Sequence, residues 1–169
     1  MTDTDRLAAL ERRVADLEAL LQRPAGPDAN AVTPASEVFW ALEGLRARVQ
    51  EPGAVLLTGH VRLPDGRHAH WQQAAATGDL LGGDWAESAD GLAALGHPVR
   101  LRLLQQVLTG ASTVHELTQI DGVGTSGQVY HHLRQLTSAG WLHAVGGGRH
   151  EVQVARVVPL LVLLLGAQR

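Results

Sequence analysis

The spacing of hydrophobic positions changes period along this chain, and each change marks an element. Leu7, Leu10, Val14, Leu17 and Leu21 are separated by 3, 4, 3 and 4 residues, the a and d positions of a heptad. Arg6 and Arg13 then fall at g, and Glu11 and Glu18 at e. In a parallel pair of helices each g residue meets the e residue five positions on, so both pairs are of opposite charge. A helix within residues 1–23 follows, either a dimeric coil or an amphipathic helix packed on its own domain. Fewer than three heptads are marginal alone, so a coil would assist a dimer made elsewhere. Residues 24–35, with Pro24, Gly26, Pro27 and Pro34, read as a linker. Thr33 before Pro34 is a helix start. Val38, Ala41, Leu42, Leu45 and Val49 share one face of a helix running to about residue 50.

After Glu51-Pro52-Gly53 the pattern alternates. Residues 54–63 predict a strand, Pro64-Asp65-Gly66 a turn, and 67–73 the returning strand. Residues 74–84 read as a further strand or a loop, made irregular by Gly78, Gly82 and Gly83. From Trp85 the period becomes helical. A first helix covers 86–95. A second opens at His97-Pro98 and carries Val99, Leu103, Leu104, Val107 and Leu108 to Gly110. A third covers 113–120, capped by Ser112 or Thr113, with Glu116 in capping-box position for Thr113. Gly122-Val123-Gly124 turns into a fourth helix from Thr125, with Val129, Leu133 and Leu136 on its apolar face and Ala139-Gly140 as its stop. Residues 141–145 and 151–155 alternate around Gly146-Gly147-Gly148 as a hairpin. A last helix, 157–168, is apolar on nearly all sides. It must be buried on all sides, which predicts a subunit interface through Leu160, Leu161 and Leu164. The class is α+β: a winged helix-turn-helix over 86–169, preceded by a coiled-coil-like helix and a helix plus β-hairpin region over 36–85.

Composition refines this picture. Apolar residues make up 45% of the 169, enough for a core, and charged residues only 18%. All 14 basic residues are Arg. The net charge of −3 is unevenly spread: residues 1–90 hold 8 Arg against 14 acids, and 91–169 hold 6 Arg against 3. A basic second part joined to an acidic first part suits a nucleic-acid-binding domain with an attached partner region. With no Cys, disulfides and thiolate metal sites are excluded. The acidic Met-Thr-Asp-Thr-Asp start is unlike a signal peptide, and the longest apolar run, 157–167, is 11 residues long and too short to span a bilayer. The expectation is a cytoplasmic protein that does not enter a membrane.

Leu92-Ala93-Ala94-Leu95-Gly96-His97-Pro98-Val99-Arg100-Leu101-Arg102-Leu103-Leu104 resembles the opening of ArsR-type winged-helix regulators. His131-His132-Leu133-Arg134-Gln135-Leu136, with Ala139-Gly140-Trp141-Leu142, resembles their recognition helix and its exit. The resemblance covers residues 86–158. It implies a homodimeric transcriptional regulator, usually a repressor, that dimerises through a terminal helix pair and contacts the DNA backbone through its wing. Members that sense metals do so through Cys near the recognition helix or His and Asp on the terminal helix. This chain lacks the first, and residues 157–169 lack the second.

If the fourth helix enters a major groove, Thr125, Ser126, Gln128 and His131 are the expected base readers, Gln pairing bidentately with adenine. Tyr130 and Arg134 would serve phosphates or the edge of the site. Arg149 and His150 would meet phosphate or the minor groove at the wing tip. His132 reads either as a packing residue or as a base contact, and Arg100 and Arg102 as backbone contacts or solvated surface. The fourth helix carries a single Arg, whereas phosphate neutralisation supplies most non-specific affinity. A second class of reading therefore stands beside the first: a winged-helix protein-interaction adaptor without DNA binding. A third is a regulator responsive to a His-bound metal. His68 and His70 share a strand face, and His60 across the turn could join them as zinc requires, or all three could be exposed polar residues. No phosphate loop, Gly-x-Ser-x-Gly or His-Glu-x-x-His occurs. The expectation is therefore a protein that is not an enzyme, has no cofactor, and partners double-stranded DNA and its own copy. A small-molecule or protein effector would act at the N-terminal region. Trp71 and Trp85 would line a small-molecule pocket or pack in the core.

Overall fold

The computed structural model describes residues 39–168. The heptad positions Leu7, Leu10, Val14, Leu17 and Leu21, and the linker, lie outside the described residues. The chain divides into two units, 1–48 and 49–169. In the first, the described residues form one helix, α1 (Trp40–Arg46), shorter than the expected run to residue 50. Arg46 pairs with Glu43 at 3.3 Å one turn back, and no residue of α1 is buried.

The second unit is α+β. Strands β1 (Ala54–Arg62) and β2 (His68–Ala76) form an antiparallel hairpin in which Ala54 faces Ala76 and Arg62 faces His68. Its turn is closed by the Leu63 amide donating to the Arg67 carbonyl at 2.8 Å. The Asp65 carboxylate accepts from the Arg67 amide at 2.9 Å and from its guanidinium at 2.7 Å. Gly66 sits at φ +85°, a conformation that side chains disfavour. Alternation puts Leu57, Gly59, Val61 and Ala69 on one face. That face lies on the last helix, α7 (Val154–Gly166): a Cβ on Gly59 would stand 2.6 Å from Val158 Cγ1. Residues 74–84, expected as strand or loop, instead complete β2 and then form helix α2 (Thr77–Gly82). Six residues are too few for a helical period to be read, but Asp79 in its first turn complements the helix dipole. The helix expected over 86–95 divides into a 3-10 turn (Trp85–Ser88), whose Ala86 amide is capped by Asp84, and α3 (Ala89–Leu95).

Helices α4 (Pro98–Thr109), α5 (Val114–Thr118) and α6 (Ser126–Ser138) follow. Strands β3 (His143–Gly146) and β4 (Arg149–Glu151) then form a second antiparallel hairpin, shorter than expected and bulged between Ala144 and Gly146. Glycines 146, 147 and 148 all have positive φ, which the reversal at the tip needs. Residues 154–155, expected in this hairpin, open α7. Arg67 ties the first hairpin's turn to β4 through Glu151 at 3.2 Å. One apolar cluster unites these elements. It includes Leu103, Leu104 and Val107 of α4, Leu117 of α5, Leu133 and Leu136 of α6, Trp141, and Val157, Val158 and Leu160 of α7. The expectation that α7 is buried all round is corrected for this chain alone: Leu163 is 41% and Leu165 67% exposed. No helix among the described residues is long and apolar enough to cross a membrane.

Candidate nucleic-acid interface

The turn from α5 to α6 is built so that one helix end projects. Val123 is buried and pins the turn, while Gly122 and Gly124 on either side have φ of +76° and +90°. A Cβ on Gly124 would meet the Gln128 side chain, and one on Gly122 the Arg102 guanidinium. Both positions thus need glycine for backbone shape. Thr125 caps α6 in a capping box with Gln128: the Thr125 amide donates to Gln128 Oε1 at 2.8 Å, and the Gln128 amide to Thr125 Oγ1 at 3.4 Å. Val129, Leu133 and Leu136 are buried. Four residues apart, Ser126, Tyr130 and Arg134 line an adjoining, exposed side, with His131 further round the helix.

The expected readers are thus brought together on one helix, with a change of role for two. Gln128 Oε1 and Thr125 Oγ1 serve the cap, so bidentate pairing of Gln128 with adenine would compete with the helix start. Ser126, Tyr130, His131 and Arg134 are exposed. Arg149 is exposed beside the glycine tip of the β3–β4 hairpin. His150 is not at the tip. It is half-buried, its amide donates to the Ser112 carbonyl at 2.7 Å, and burial lowers its pKa, which favours the neutral ring. As a neutral ring His150 supplies no cation to phosphate.

Arg100 and Arg102, read as backbone contacts or open surface, are both engaged by other elements. Arg100 closes the C-terminal end of α3, with Nε to the Ala94 carbonyl at 2.5 Å and Nη2 to the Ala93 carbonyl at 2.8 Å. Arg102 donates to the Asp121 carbonyl at 2.9 Å and so braces the turn before α6. His132 packs its ring 4.6 Å from that of His97. Burial, then the neighbouring His97, Arg100 and His131, lower the His132 pKa. His97 has a role that the residue pattern did not suggest directly: its Nδ1 accepts the Val99 amide at 3.2 Å and caps α4. The available signal was its position immediately before Pro98, at a helix start.

Elsewhere, an open apolar groove of about 670 Å³ runs between α4 and α7, lined by Leu101, Leu104, Leu108, Leu160, Leu161 and Leu164. Leu161 and Leu164 are accessible there. Leu160, expected at a subunit interface, is 1% exposed and belongs to the core with Val157 and Val158. Trp71 is partly covered on the hairpin, and Trp85, 67% exposed, is not a core residue. His60, His68 and His70 share the solvent face of the first hairpin. No protein-family model matches the chain, and no curated protein matches it.

Proposed function

We propose that residues 86–169 form a winged helix-turn-helix and that the protein is a sequence-specific, dimeric DNA-binding transcriptional regulator of ArsR type. In this reading α6 is the recognition helix and β3–β4 the wing. The observation that carries the reading is the exposed row of Ser126, Tyr130 and Arg134, with His131, on a capped helix whose other face is held in the core. A 13-residue helix is about 20 Å long, which suits insertion of its first turns into a major groove. Ser126 and His131 then read base edges, and Tyr130, Arg134 and Arg149 hold the backbone. The groove between α4 and α7 receives the second copy through Leu161 and Leu164, and two recognition helices reach successive major grooves. Repression follows by occlusion of the promoter.

The test is selection of bound sequences from a random duplex pool at low and at moderate salt. A near-palindrome with half-sites about one helical turn apart is the expected product. Arg134→Ala and Arg149→Ala should each weaken binding and reduce the salt slope by about one for every phosphate no longer neutralised. Binding that is independent of salt and of both arginines would refute the proposal. The small number of open cations supports one competing reading, a protein-interaction adaptor, because Arg100 and Arg102 already donate to carbonyls. Absence of any duplex retention at low salt would favour it.

A further inference from the structure

Cross-strand register decides what three histidines of the first hairpin can do. Thr58, His60, Arg62, His68, His70 and Gln72 lie on one face of the β1–β2 ribbon, opposite the face that packs on α7. His60 and His70 are direct cross-strand partners, and His68 is two residues along from His70. The Nδ1 atoms of His60 and His70 stand 2.8 Å apart. At that separation the Nδ1–H of one ring donates to the Nδ1 of the other, so both rings aim the same nitrogen at one point between the strands.

We propose that His60, His68 and His70 form a three-imidazole site for a late first-row divalent cation, with Zn²⁺ as its representative. Ring centroids lie 4.3 Å apart for His60 and His70, 5.8 Å for His68 and His70, and 6.5 Å for His60 and His68. Three imidazoles on one tetrahedral ion, with metal–nitrogen bonds of about 2.0–2.1 Å, hold their centroids about 5 Å apart. The three spacings straddle that value. An all-nitrogen donor set suits zinc, copper or nickel and not magnesium or calcium, which take oxygen ligands. The nearby Asp65 carboxylate is held by Arg67.

As the side chains stand, no three potential ligands among the described residues are arranged to hold a metal. His68 is not aimed at a point shared with the other two rings. Its ring plane is within 17° of that of His70, and parallel rings cannot aim in-plane lone pairs at one ion unless they are coplanar. Binding therefore turns His68 about its side-chain bonds and opens the His60–His70 nitrogens from 2.8 Å to about 3.4 Å. All three side chains are exposed, so no packed neighbour opposes the turn, and exposed rotamers exchange in picoseconds to nanoseconds. The fourth coordination position faces solvent. Arg62, the cross-strand partner of His68, places a cation beside the site and weakens it. The site is independent of the DNA-binding reading.

The test uses the untagged full chain, stripped with a chelator, then titrated with Zn²⁺ by calorimetry and with Co²⁺ by visible absorption. One equivalent per chain and a tetrahedral Co²⁺ spectrum are expected. His60→Ala, His68→Ala and His70→Ala should each weaken binding at least about tenfold. Arg62→Gln should strengthen it. His97→Ala and His131→Ala, in the other histidine cluster, should leave it unchanged. Circular dichroism of each variant separates loss of ligand from loss of fold. No saturable binding, or binding that survives His60→Ala and His70→Ala together, overturns the site. Loss with His97→Ala alone would place the metal elsewhere and overturn it equally. An unaffected His68→Ala would remove the third ligand and the proposal with it.

Discussion

Gly59 shows how one missing side chain sets the packing of two elements. With no Cβ it lets β1 lie directly on Val158, which is 1% exposed and has no room to yield. Gly59→Ala should destabilise the chain by about 1–3 kcal/mol through overpacking, and adding Val158→Ala should recover part of that loss. Denaturant unfolding measures both, and an unchanged midpoint for Gly59→Ala would mean that the hairpin is not seated on α7. His132 and His150 give a prediction of another kind. Burial lowers both pKa values below the usual 6.5. A half-buried neutral His adds stability above the unfolded pKa, and that stability is lost as pH falls from 6.5 through the lowered folded value. The melting temperature should therefore fall between pH 7.5 and 5, less steeply for His150→Gln. Parallel curves for the variant and the parent would show that His150 does not contribute.

Among the elements, helix starts were the most legible. The Thr113-x-x-Glu116 spacing predicts a capping box, and the structure has one: the Glu116 carboxylate accepts from the Thr113 amide at 2.8 Å and the Ser112 amide at 2.9 Å. Those backbone donors lower the Glu116 pKa. Thr113→Ala should cost about 0.5–2 kcal/mol, and Thr125→Ala a similar amount at the start of α6. Thermal melts read this directly, and two neutral substitutions would show that packing alone holds these helices. Caps are legible because donor and acceptor lie three residues apart and meet once the helix forms. The boundaries of α2 and of the 3-10 turn were not, since a few residues carry no period and tertiary contacts decide them. The uses of Arg100 and Arg102 were illegible for the same reason, as their carbonyl partners belong to other elements.

For the whole molecule, the apolar excess of α7 was visible along the chain, but which of its sides the chain itself covers was not. Val157, Val158 and Leu160 are buried, Val158 against Gly59 of the first hairpin, and Leu161, Leu163 and Leu165 are left open. If a second copy seats in the groove between α4 and α7, Leu161→Glu should convert a dimer to a monomer in sedimentation with the fold retained. A monomeric parent, or a dimer indifferent to this change, would remove that interface from the functional proposal.

By itself the sequence determined the α+β class, the first hairpin and its turn, the capped starts of α5 and α6, and the row of polar residues on α6. All of these rest on interactions within a few residues or on the period of one element. Only the tertiary structure decided that His150 is half-buried, that Leu160 is core, and that His60 faces His70. These depend on the side chains' final rotamers or on groups distant along the chain, whose approach is set by packing against a shared core.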